Sequence, residues 1–276
     1  MLSLQKNFKS ISKKKIQRFQ NIVFSFYEEN KRELPWRETT DPYKILLSEF
    51  MLQQTQVSRV VSYYKKWITR WPTIDTLASA SRAEMLKAWM GLGYNTRAVR
   101  LHKAVQKIVT GFNGDVIAAM KQYTEIPGIG PYTAQAVQIF STNADLVAID
   151  TNIRRIFIAE FHLSEDVSIE QLRNYAAQCL PLGRSREWHN ALMDYGALHL
   201  TARKTKIHST SQQSKFEGSD RQIRAAVIYL LLNDSSSFEN LHRTLDIEPK
   251  KLRKILDKMI DEEILFLFHK KYKIKE

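Results

Sequence analysis

Cysteine, which can cross-link a chain, and glycine and proline, which interrupt helices and strands, are scarce in this sequence. Its 276 residues contain one cysteine, Cys179, together with nine glycines and seven prolines. A single thiol excludes an internal disulfide and any multi-cysteine metal cage, so the chain suits a reducing compartment. The fold must depend on a packed core, for which a hydrophobic content of 43% is sufficient.

Long apolar runs are also missing. No stretch approaches the roughly 18 apolar residues of a membrane span. The basic N-terminal segment MLSLQKNFKSISKKKIQRF contains no apolar run of signal-peptide length. We therefore expect a cytoplasmic, nucleoid-associated protein with no membrane partner.

Acidic residues are the third deficit. The chain has 42 Lys and Arg residues against 29 Asp and Glu residues, which gives a formal net charge of +13. An excess of this size favours a polyanionic partner, with nucleic acid ahead of a membrane surface. A generic basic surface is the alternative that charge alone leaves open.

Amphipathic helices are the dominant pattern up to about residue 200. Apolar residues recur at spacings of three and four, and alternating strands are absent before the C-terminus. Two such sets are Ile16, Phe19, Ile22, Val23 and Phe26, and Leu101, Ala104, Val105 and Ile108. We predict an all-α body over residues 1–200, in which Trp67, Trp71 and Trp89 pack between helices rather than stack on bases.

The C-terminal part follows a polar, basic segment. Residues 201–220, TARKTKIHSTSQQSKFEGSD, are expected to form a linker or an extended surface crossing. Three helices are then predicted over residues 223–232, 237–245 and 249–262, and the final ILFLFHKKYKI can fold back as a two-stranded wing. Residues 221–276 thus indicate a small winged-helix-like domain, and a plain helical cap on the main domain is the alternative.

Two of the nine glycines lie close together in the stretch IPGIGPYTAQA, residues 126–136. Glycine permits positive φ angles and lets a backbone approach a ligand, and a helix that follows directs its unpaired N–H groups toward that ligand. With helices predicted before and after, Gly128 and Gly130 indicate a helix-hairpin-helix that grips a DNA backbone through main-chain amides. A tight helix connection without a ligand is the alternative.

Two carboxylates are candidates for chemistry. Asp150 ends the apolar run VAID before a predicted helix, where it can cap that helix or lie near DNA held by the hairpin. Glu49 belongs to residues 44–57, which are apolar nearly all round a predicted helix. Burial there disfavours the charged form of Glu49 and keeps part of it protonated, as a general acid requires. A buried ion pair with Arg37 or Arg97 is the alternative.

Six sequence blocks occur in a particular order. They are LPWR (34–37), DPY (41–43), LSEFMLQQTQV (47–57), GLGY (91–94), the IPGIGPYTA hairpin (126–134) and IDTNIRR (149–155). In this order they strongly resemble the helix-hairpin-helix DNA glycosylases, and among them the adenine DNA glycosylase (MutY-like) branch. The resemblance covers about residues 20–200.

The resemblance implies a two-lobed helical domain with a DNA-facing cleft between the lobes, into which a nucleotide is flipped. Glu49 would protonate the departing purine and help to activate water, while an ionised Asp150 would stabilise the oxocarbenium-like sugar. Asn152 would lie beside this aspartate. In the endonuclease III branch the position of Tyr132 is a lysine, which forms a Schiff base and nicks the DNA strand. A tyrosine cannot form this Schiff base, so a monofunctional glycosylase is expected.

Further site residues follow from the same resemblance. Gln54 matches the residue that wedges into the base stack. The residues expected at DNA are Gln53, Gln54, Tyr94, Gly128, Gly130 and Thr133, and those expected around the base are Trp36, Arg37, Leu52, His189, Asn190 and Asp194. The expected partner is double-stranded DNA with a mismatched or damaged base, and the protein is expected to be a monomer.

One departure from the family pattern concerns the cofactor. Family members typically hold an iron–sulfur cluster through C-x6-C-x2-C-x5-C, whereas the matching positions here are Leu200, Ile207, Thr210 and Phe216. No cluster can form there, and side-chain packing is expected to hold the loop instead. A monovalent cation on the hairpin carbonyls is allowed by the resemblance, and no other metal is assigned.

Two further departures concern the substrate. His189 and Asn190 stand where Asn-Gln is more usual, which leaves the excised base open. The residues after 220 are too few and too helical for the domain that recognises 8-oxoguanine. Adenine opposite guanine or 8-oxoguanine is the leading substrate, with uracil, thymine or hypoxanthine as rivals on the same scaffold. A non-catalytic DNA-binding module is the alternative outside the enzymes, although it would have no use for Glu49 and Asp150 near phosphate, where they repel DNA.

Overall fold

A computed structural model describes residues 10–208 and 215–275 of the chain. Within these residues every regular element before Ser236 is helical. The α-helices span Lys13–Asn30, Pro42–Leu52, Val57–Arg70, Ile74–Ala78, Arg82–Trp89, Thr96–Phe112, Val116–Lys121, Pro131–Thr142, Thr151–Phe161, Ile169–Gln178, Ser185–Asp194, Ala202–Thr205, Asp220–Leu231, Phe238–Leu245 and Pro249–Asp261. Short 3-10 helices span Pro35–Arg37 and Tyr123–Glu125, and a π-helical turn spans Tyr195–His199. None of the described helices is both long and apolar enough to cross a bilayer.

Short polar side chains begin many of these helices. Ser12, Thr73, Ser81, Ser168 and Ser237 each accept a hydrogen bond from a backbone N–H in the first helical turn. Such caps satisfy amide groups that have no partner within the helix. Local sequence is therefore sufficient to place these helix starts.

The helix expected over residues 44–57 is shorter in the structure. It ends at Leu52, and a second helix begins at Val57. All four residues between them are polar, and Gln54 adopts a left-handed φ of 55°. Arg97 donates hydrogen bonds of 2.9 Å to two main-chain carbonyls in the last turn of the first helix. A buried guanidinium thus terminates this helix by satisfying carbonyls that the helix itself leaves unpaired.

The described chain forms two compact units. The first contains residues 10–45 and 131–208, and the second contains residues 46–130 and 215–275. The C-terminal residues therefore group with the second unit. Domain boundaries at residues 200 and 220 stay a prediction, and residues 209–214 of the expected linker lie outside the described part of the chain.

Aromatic rings build the core of the first unit. The ring centroid of Phe19 lies 5.6 Å from that of Phe157, 5.2 Å from that of Phe161 and 5.5 Å from that of Trp188, all edge to face. Such geometry adds to the stabilisation from burial alone. Cys179 is buried in the same core, where burial raises the pKa of its thiol to about 12 and keeps it unreactive.

Tryptophans have the corresponding role in the second unit. The ring of Trp67 lies 4.8 Å from that of Trp71 and 5.5 Å from that of Trp89, again edge to face. All three side chains are buried. The prediction that they pack between helices is confirmed.

Three antiparallel strands complete the second unit in the order β1 (Ser236–Ser237), β3 (Lys271–Ile274) and β2 (Leu265–Phe268). Residues alternate between exposed and buried along β3, so one face of the sheet covers the adjacent helices. With three helices before the hairpin, this is the winged-helix-like fold predicted for the C-terminus. The sheet excludes a plain helical cap.

Candidate active site

The glycine-rich hairpin forms as the sequence predicts. Asp115 caps the helix Val116–Lys121, and the helix Pro131–Thr142 begins directly after Gly130. Gly128 has a φ of +77°, and a Cβ atom there would lie 2.8 Å from Cβ of Arg100, so no other residue fits without strain. Gly130 has no such need, because a Cβ atom there would meet nothing within 4 Å.

Thr133 is part of this hairpin, but its side chain is only 4% exposed. Its hydroxyl is therefore not available to DNA, and the contact expected for Thr133 can come only from its main chain. Its main-chain N–H lies in the first turn of the helix, where amides have no helical partner. The hairpin offers backbone amides rather than side chains.

Asp150 is a helix cap in the first unit. Its Oδ1 atom accepts a hydrogen bond of 2.7 Å from the N–H of Ile153 at the start of Thr151–Phe161. Burial raises the pKa of the Asp150 carboxyl, although main-chain hydrogen bonds from Ile153 and Asn152 and the charge of Arg155 oppose the shift. The capping alternative is thus realised, and the protein interior does not by itself favour the ionised form expected for catalysis.

His189 supports the segment that carries Asp150. Its Nδ1 atom donates to the Ser185 carbonyl at 2.7 Å, and its Nε2 atom accepts from the Ala148 N–H at 3.3 Å. These partners require the neutral tautomer, and burial lowers the pKa of the ring accordingly. At 2% exposure His189 uses both ring nitrogens inside the protein, and its place around the base stays a prediction.

Asn152 is engaged inside the first unit as well. Its Nδ2 atom donates to the Met193 carbonyl at 3.3 Å, and its Oδ1 atom accepts from Arg155. Arg155 also donates to the Gly196 carbonyl at 3.0 Å, and a Cβ atom on Gly196 would lie 2.5 Å from the Asn152 amide. Asn152 therefore holds the π-helical turn Tyr195–His199 against the start of the helix Thr151–Phe161. The sequence analysis assigned no role to Arg155, although this residue ends the IDTNIRR block.

Tyr132 packs beside the same segment. It is half-buried against a small apolar cluster of Ala136, Ile139 and Ala148. Ala148 precedes Asp150 by two residues, so one cluster brings the residue after the hairpin to the loop that ends in Asp150. Tyr132, Asp150, Asn152 and His189 are thus neighbouring parts of the first unit.

Arg37 and Asp194 form a buried ion pair. Two bonds of 2.8 Å join the Arg37 guanidinium to the Asp194 carboxylate, and Nε of Arg32 adds a third at 2.6 Å. Burial alone would raise the pKa of Asp194, but the hydrogen bonds from Arg37 and Arg32 lower it below its ordinary value. The two side chains thus hold each other in place, and their expected roles around the base stay a prediction. Trp36 and Asn190 are likewise buried.

We predict that Asp194→Asn lowers the free energy of unfolding by about 3–5 kcal/mol, because it removes a fully buried carboxylate and leaves two partly buried guanidinium groups without their counter-charge. Urea denaturation measures the loss. Glu187→Gln is the matched control on the same helix, since its ion pair with Arg184 is solvent-exposed and should contribute about 0–1 kcal/mol. Equal small losses in both variants would contradict the structural role.

Glu49 lies in the second unit within the apolar helix Pro42–Leu52, and it is 8% exposed. The two arginines suggested as its partners both make other hydrogen bonds. Arg37 pairs with Asp194, and Arg97 donates to main-chain carbonyls and to the Thr55 hydroxyl. Burial lowers the pKa of Arg97 to about 10.

The remaining residues expected at DNA or base differ in exposure. Leu52 and Gln53 are half-buried, whereas Gln54 is exposed at the tip of the turn after the helix. Tyr94 is half-buried with a φ of 50°, and the Arg221 guanidinium lies 4.8 Å from its ring centroid. Gln54 therefore has the accessibility that a wedge into DNA requires.

The positions that replace the four cluster cysteines behave unequally. Leu200 packs against the core of the first unit, and Ile207 is half-buried. Phe216 is 52% exposed, and Thr210 lies outside the described residues. Of the residues at the cluster positions, Leu200 thus packs against the core as expected, whereas Phe216 is largely exposed to solvent. Among the described residues no three Cys, His, Asp or Glu side chains form a group that could hold a metal ion.

Comparison with known proteins identifies the family. The family described as "HhH-GPD superfamily base excision DNA repair protein" matches residues 47–181. An adenine DNA glycosylase of Mycolicibacterium smegmatis is 35% identical over 235 residues, which are 78% of this chain and 80% of that protein. This chain belongs to the HhH-GPD superfamily. The HhH-GPD match includes Glu49, both hairpin glycines and Asp150, and it ends before His189.

Other relatives are similar over a smaller share of their length. An adenine DNA glycosylase of Mycobacterium tuberculosis is 39% identical over 66% of this chain and 61% of its own. The corresponding Homo sapiens protein is 33% identical over 65% of this chain and 35% of its own. Each of these two matches covers about two thirds of this chain.

Solved structures confirm the HhH-GPD fold. A thermostable thymine-DNA glycosylase matches with a TM-score of 0.63 and 26% identity, over 69% of this chain and 90% of that one. Endonuclease III in a non-covalent DNA complex matches with a TM-score of 0.62 at 18% identity, over 70% and 90%. The predicted all-α glycosylase fold is confirmed.

Proposed function

We propose that this chain is a monofunctional DNA glycosylase that hydrolyses the N-glycosidic bond of a flipped, mispaired adenine, opposite guanine or 8-oxoguanine. The observation that carries the proposal is the joint presence of Glu49, the Gly128 hairpin and Asp150 in the family-matched region. The names of the relatives support adenine as the base. Adenine must leave the base stack before the bond becomes accessible.

The two carboxylates would divide the chemistry. Glu49 protonates the departing purine, which makes it a better leaving group, and assists the attacking water. Asp150 stabilises the positive charge that develops on the sugar, as in a retaining glycosidase pair. Because burial raises the pKa of Asp150, the cationic sugar itself has to favour its ionised form.

Strand cleavage is not part of this proposal. A lyase of this family needs an amine that forms an imine with the sugar, and the residue after the hairpin is Tyr132. A phenol cannot form that imine. The product should therefore be an intact strand with an abasic site.

Single-turnover incubation tests the substrate and the product together. Duplexes carrying A:G, A:8-oxoG, U:G, T:G and hypoxanthine:T are scored for abasic sites after alkali, and parallel samples without alkali report nicking. We expect excision of adenine and no nick without alkali. T:G is the informative competitor, since one similar structure is a thymine-DNA glycosylase. Excision of thymine or uracil but not adenine would overturn the assignment, and no excision at all would favour a DNA-binding module.

The two hairpin glycines should respond differently to alanine. Gly130→Ala should weaken duplex binding about tenfold or more, because a Cβ atom would keep the DNA phosphate away from the main-chain amides. The complex would then lose a hydrogen bond to a charged group, which contributes roughly 1.5–3 kcal/mol. Its melting temperature should hardly change, since the Cβ atom meets nothing within 4 Å. Gly128→Ala should instead lower stability by about 1 kcal/mol or more, owing to its positive φ. Unchanged DNA affinity in Gly130→Ala would contradict phosphate binding at this turn.

We further propose that the enzyme works without an iron–sulfur cluster. The only thiol of the chain, Cys179, lies outside the four cluster positions and is buried. Purified protein should be colourless and contain no stoichiometric iron, and chelators should leave excision unchanged. Stoichiometric iron would contradict this proposal, and assays with and without K⁺ test the expected monovalent cation at the hairpin.

A further inference from the structure

The elements from Asp220 to Ile274, which we call the C-terminal module, include a helix-turn-helix. The helix Phe238–Leu245 is joined to the helix Pro249–Asp261 by three residues, of which Asp246 has a left-handed φ of 51°. In helix-turn-helix proteins the second helix enters a DNA groove. Here the second helix buries one face through Leu252, Ile255, Leu256 and Met259.

The opposite face of this second helix is basic. Lys250, Arg253, Lys254 and Lys258 are exposed along it, and they line a shallow groove together with Asp257 and Asp261. None of the four has a carboxylate within ion-pair distance among the described residues. The acidic residues of this face, Asp257 and Asp261, lie in its C-terminal half. We define the four basic residues as the basic ridge.

The β2–β3 hairpin adds a second basic element. His269 and Lys270 form its two-residue turn with φ angles of 47° and 62°, as a type I′ turn requires. Residues with side chains seldom adopt this conformation, and Asn-Gly would form the turn more easily. Lys270, Lys271 and Lys273 are exposed there, next to Phe268, which is 52% exposed. We call these three lysines the wing lysines.

Two glutamates connect this module to the rest of its unit. Glu262 accepts a hydrogen bond from Thr96 at 3.1 Å, and Glu263 pairs with Lys103, both on the helix Thr96–Phe112 of the same unit. The Glu263 carbonyl also accepts a hydrogen bond of 2.7 Å from Arg82. Glu262 and Glu263 thus attach the module to its unit, whereas the ridge and wing side chains are exposed, with Arg253 also lying 4.3 Å from the Phe238 ring centroid. The carboxylates nearest to them are Glu239, which interacts electrostatically with Arg253 and Lys270, and Asp257 and Asp261 on the ridge helix.

We propose that the C-terminal module is a second DNA-binding surface, in which the basic ridge and the wing lysines contact phosphates of one duplex. Charge complementarity identifies DNA as the ligand of this surface, because seven exposed basic side chains on a helix-turn-helix and its wing fit the phosphate backbone of B-DNA. The contact is independent of base chemistry, so it goes beyond the proposed excision reaction. It would hold the enzyme on undamaged DNA.

Lesion-free DNA separates this proposal from catalysis. The affinity of the full chain for an undamaged duplex of several helical turns is measured by fluorescence anisotropy over a range of NaCl concentrations. Lys250→Ala/Lys254→Ala/Lys258→Ala tests the ridge, and Lys270→Ala/Lys271→Ala/Lys273→Ala tests the wing. Each phosphate contact contributes about 0.9 to the slope of log affinity against log salt, so each triple variant should reduce the slope by about 2.7.

A matched control separates contact from overall charge. Lys65→Ala/Lys66→Ala/Lys107→Ala removes three exposed lysines from other helices of the same unit and should leave the slope close to that of the unmodified chain. The ridge variant with arginine in place of alanine should retain the original slope. Equal slopes in ridge, wing and control variants would overturn the proposal, and so would binding of a protein rather than DNA at this surface. If a triple variant lowers the melting temperature, Lys254→Glu alone replaces it and should reduce the slope by about 0.9 or more.

The outcome does not depend on the proposed excision reaction. Slopes that fall only in the ridge and wing variants would support the second surface even if no base is excised. Excision of adenine with unchanged slopes would overturn the second surface and leave the glycosylase assignment intact.

Discussion

Glu49→Gln lowers the single-turnover rate of adenine excision by a factor of about 10²–10⁴ and leaves DNA binding nearly unchanged, if Glu49 is the general acid. Glutamine keeps the size of the side chain and can still form hydrogen bonds, but it cannot transfer a proton to the departing base. Glu49 is 8% exposed inside an apolar helix, where water is a poor substitute donor. Excision is measured on A:8-oxoG duplexes with enzyme in excess.

Glu29→Gln is the control for this experiment, because Glu29 is an exposed carboxylate on the helix Lys13–Asn30. It should excise adenine at the unmodified rate. Binding of an uncleavable duplex and thermal melting are measured for both variants. A parallel loss of binding and stability in Glu49→Gln would assign Glu49 a purely structural role.

Asp150 allows its two roles to be separated by substitution. Asn and Asp are about equally good helix caps, so Asp150→Asn should keep the bond to the Ile153 N–H and the stability of the helix. It removes the charge that would stabilise the sugar cation, and we expect excision to fall roughly 10²–10³-fold or more. Single-turnover kinetics and urea denaturation of the same preparation measure both effects.

Asp150→Ala should lose about 1 kcal/mol of stability in addition, because alanine cannot cap the helix. Asp115→Ala removes an equivalent cap, whose Oδ1 atom accepts from the Ala118 N–H at 2.9 Å, and indicates the loss from capping alone. Normal excision by Asp150→Asn would mean that Asp150 is a cap and nothing more.

Much of the fold could be predicted because its signals are local. The helix Pro249–Asp261 begins at the proline named from the sequence and ends one residue before its expected end. The hairpin glycine Gly128 and the wing also lie where turn chemistry places them. The helix over residues 44–57 was predicted too long, because its end depends on Arg97, which contacts it from another helix.

The candidate site was predictable in part. Asp150 and Glu49 have the surroundings that their positions suggested, a helix start and an apolar helix. Sequence placed Arg37 and His189 around the base but did not reveal the hydrogen bonds that both make inside the protein. A motif specifies which residue types are present, but it does not specify which of them a neighbouring element has already paired.

By itself the sequence determined a helical, basic chain without cross-links, the hairpin turn and the order of its motifs, since periodicity, caps and turns depend on neighbours along the chain. Only the tertiary structure decided how the buried polar side chains are used. Arg37 meets Asp194 across 157 residues, and His189 meets Ala148 across 41. The reason is that a buried polar group must pair with whatever partner the fold brings within about 3 Å, and that partner is set by packing rather than by sequence distance.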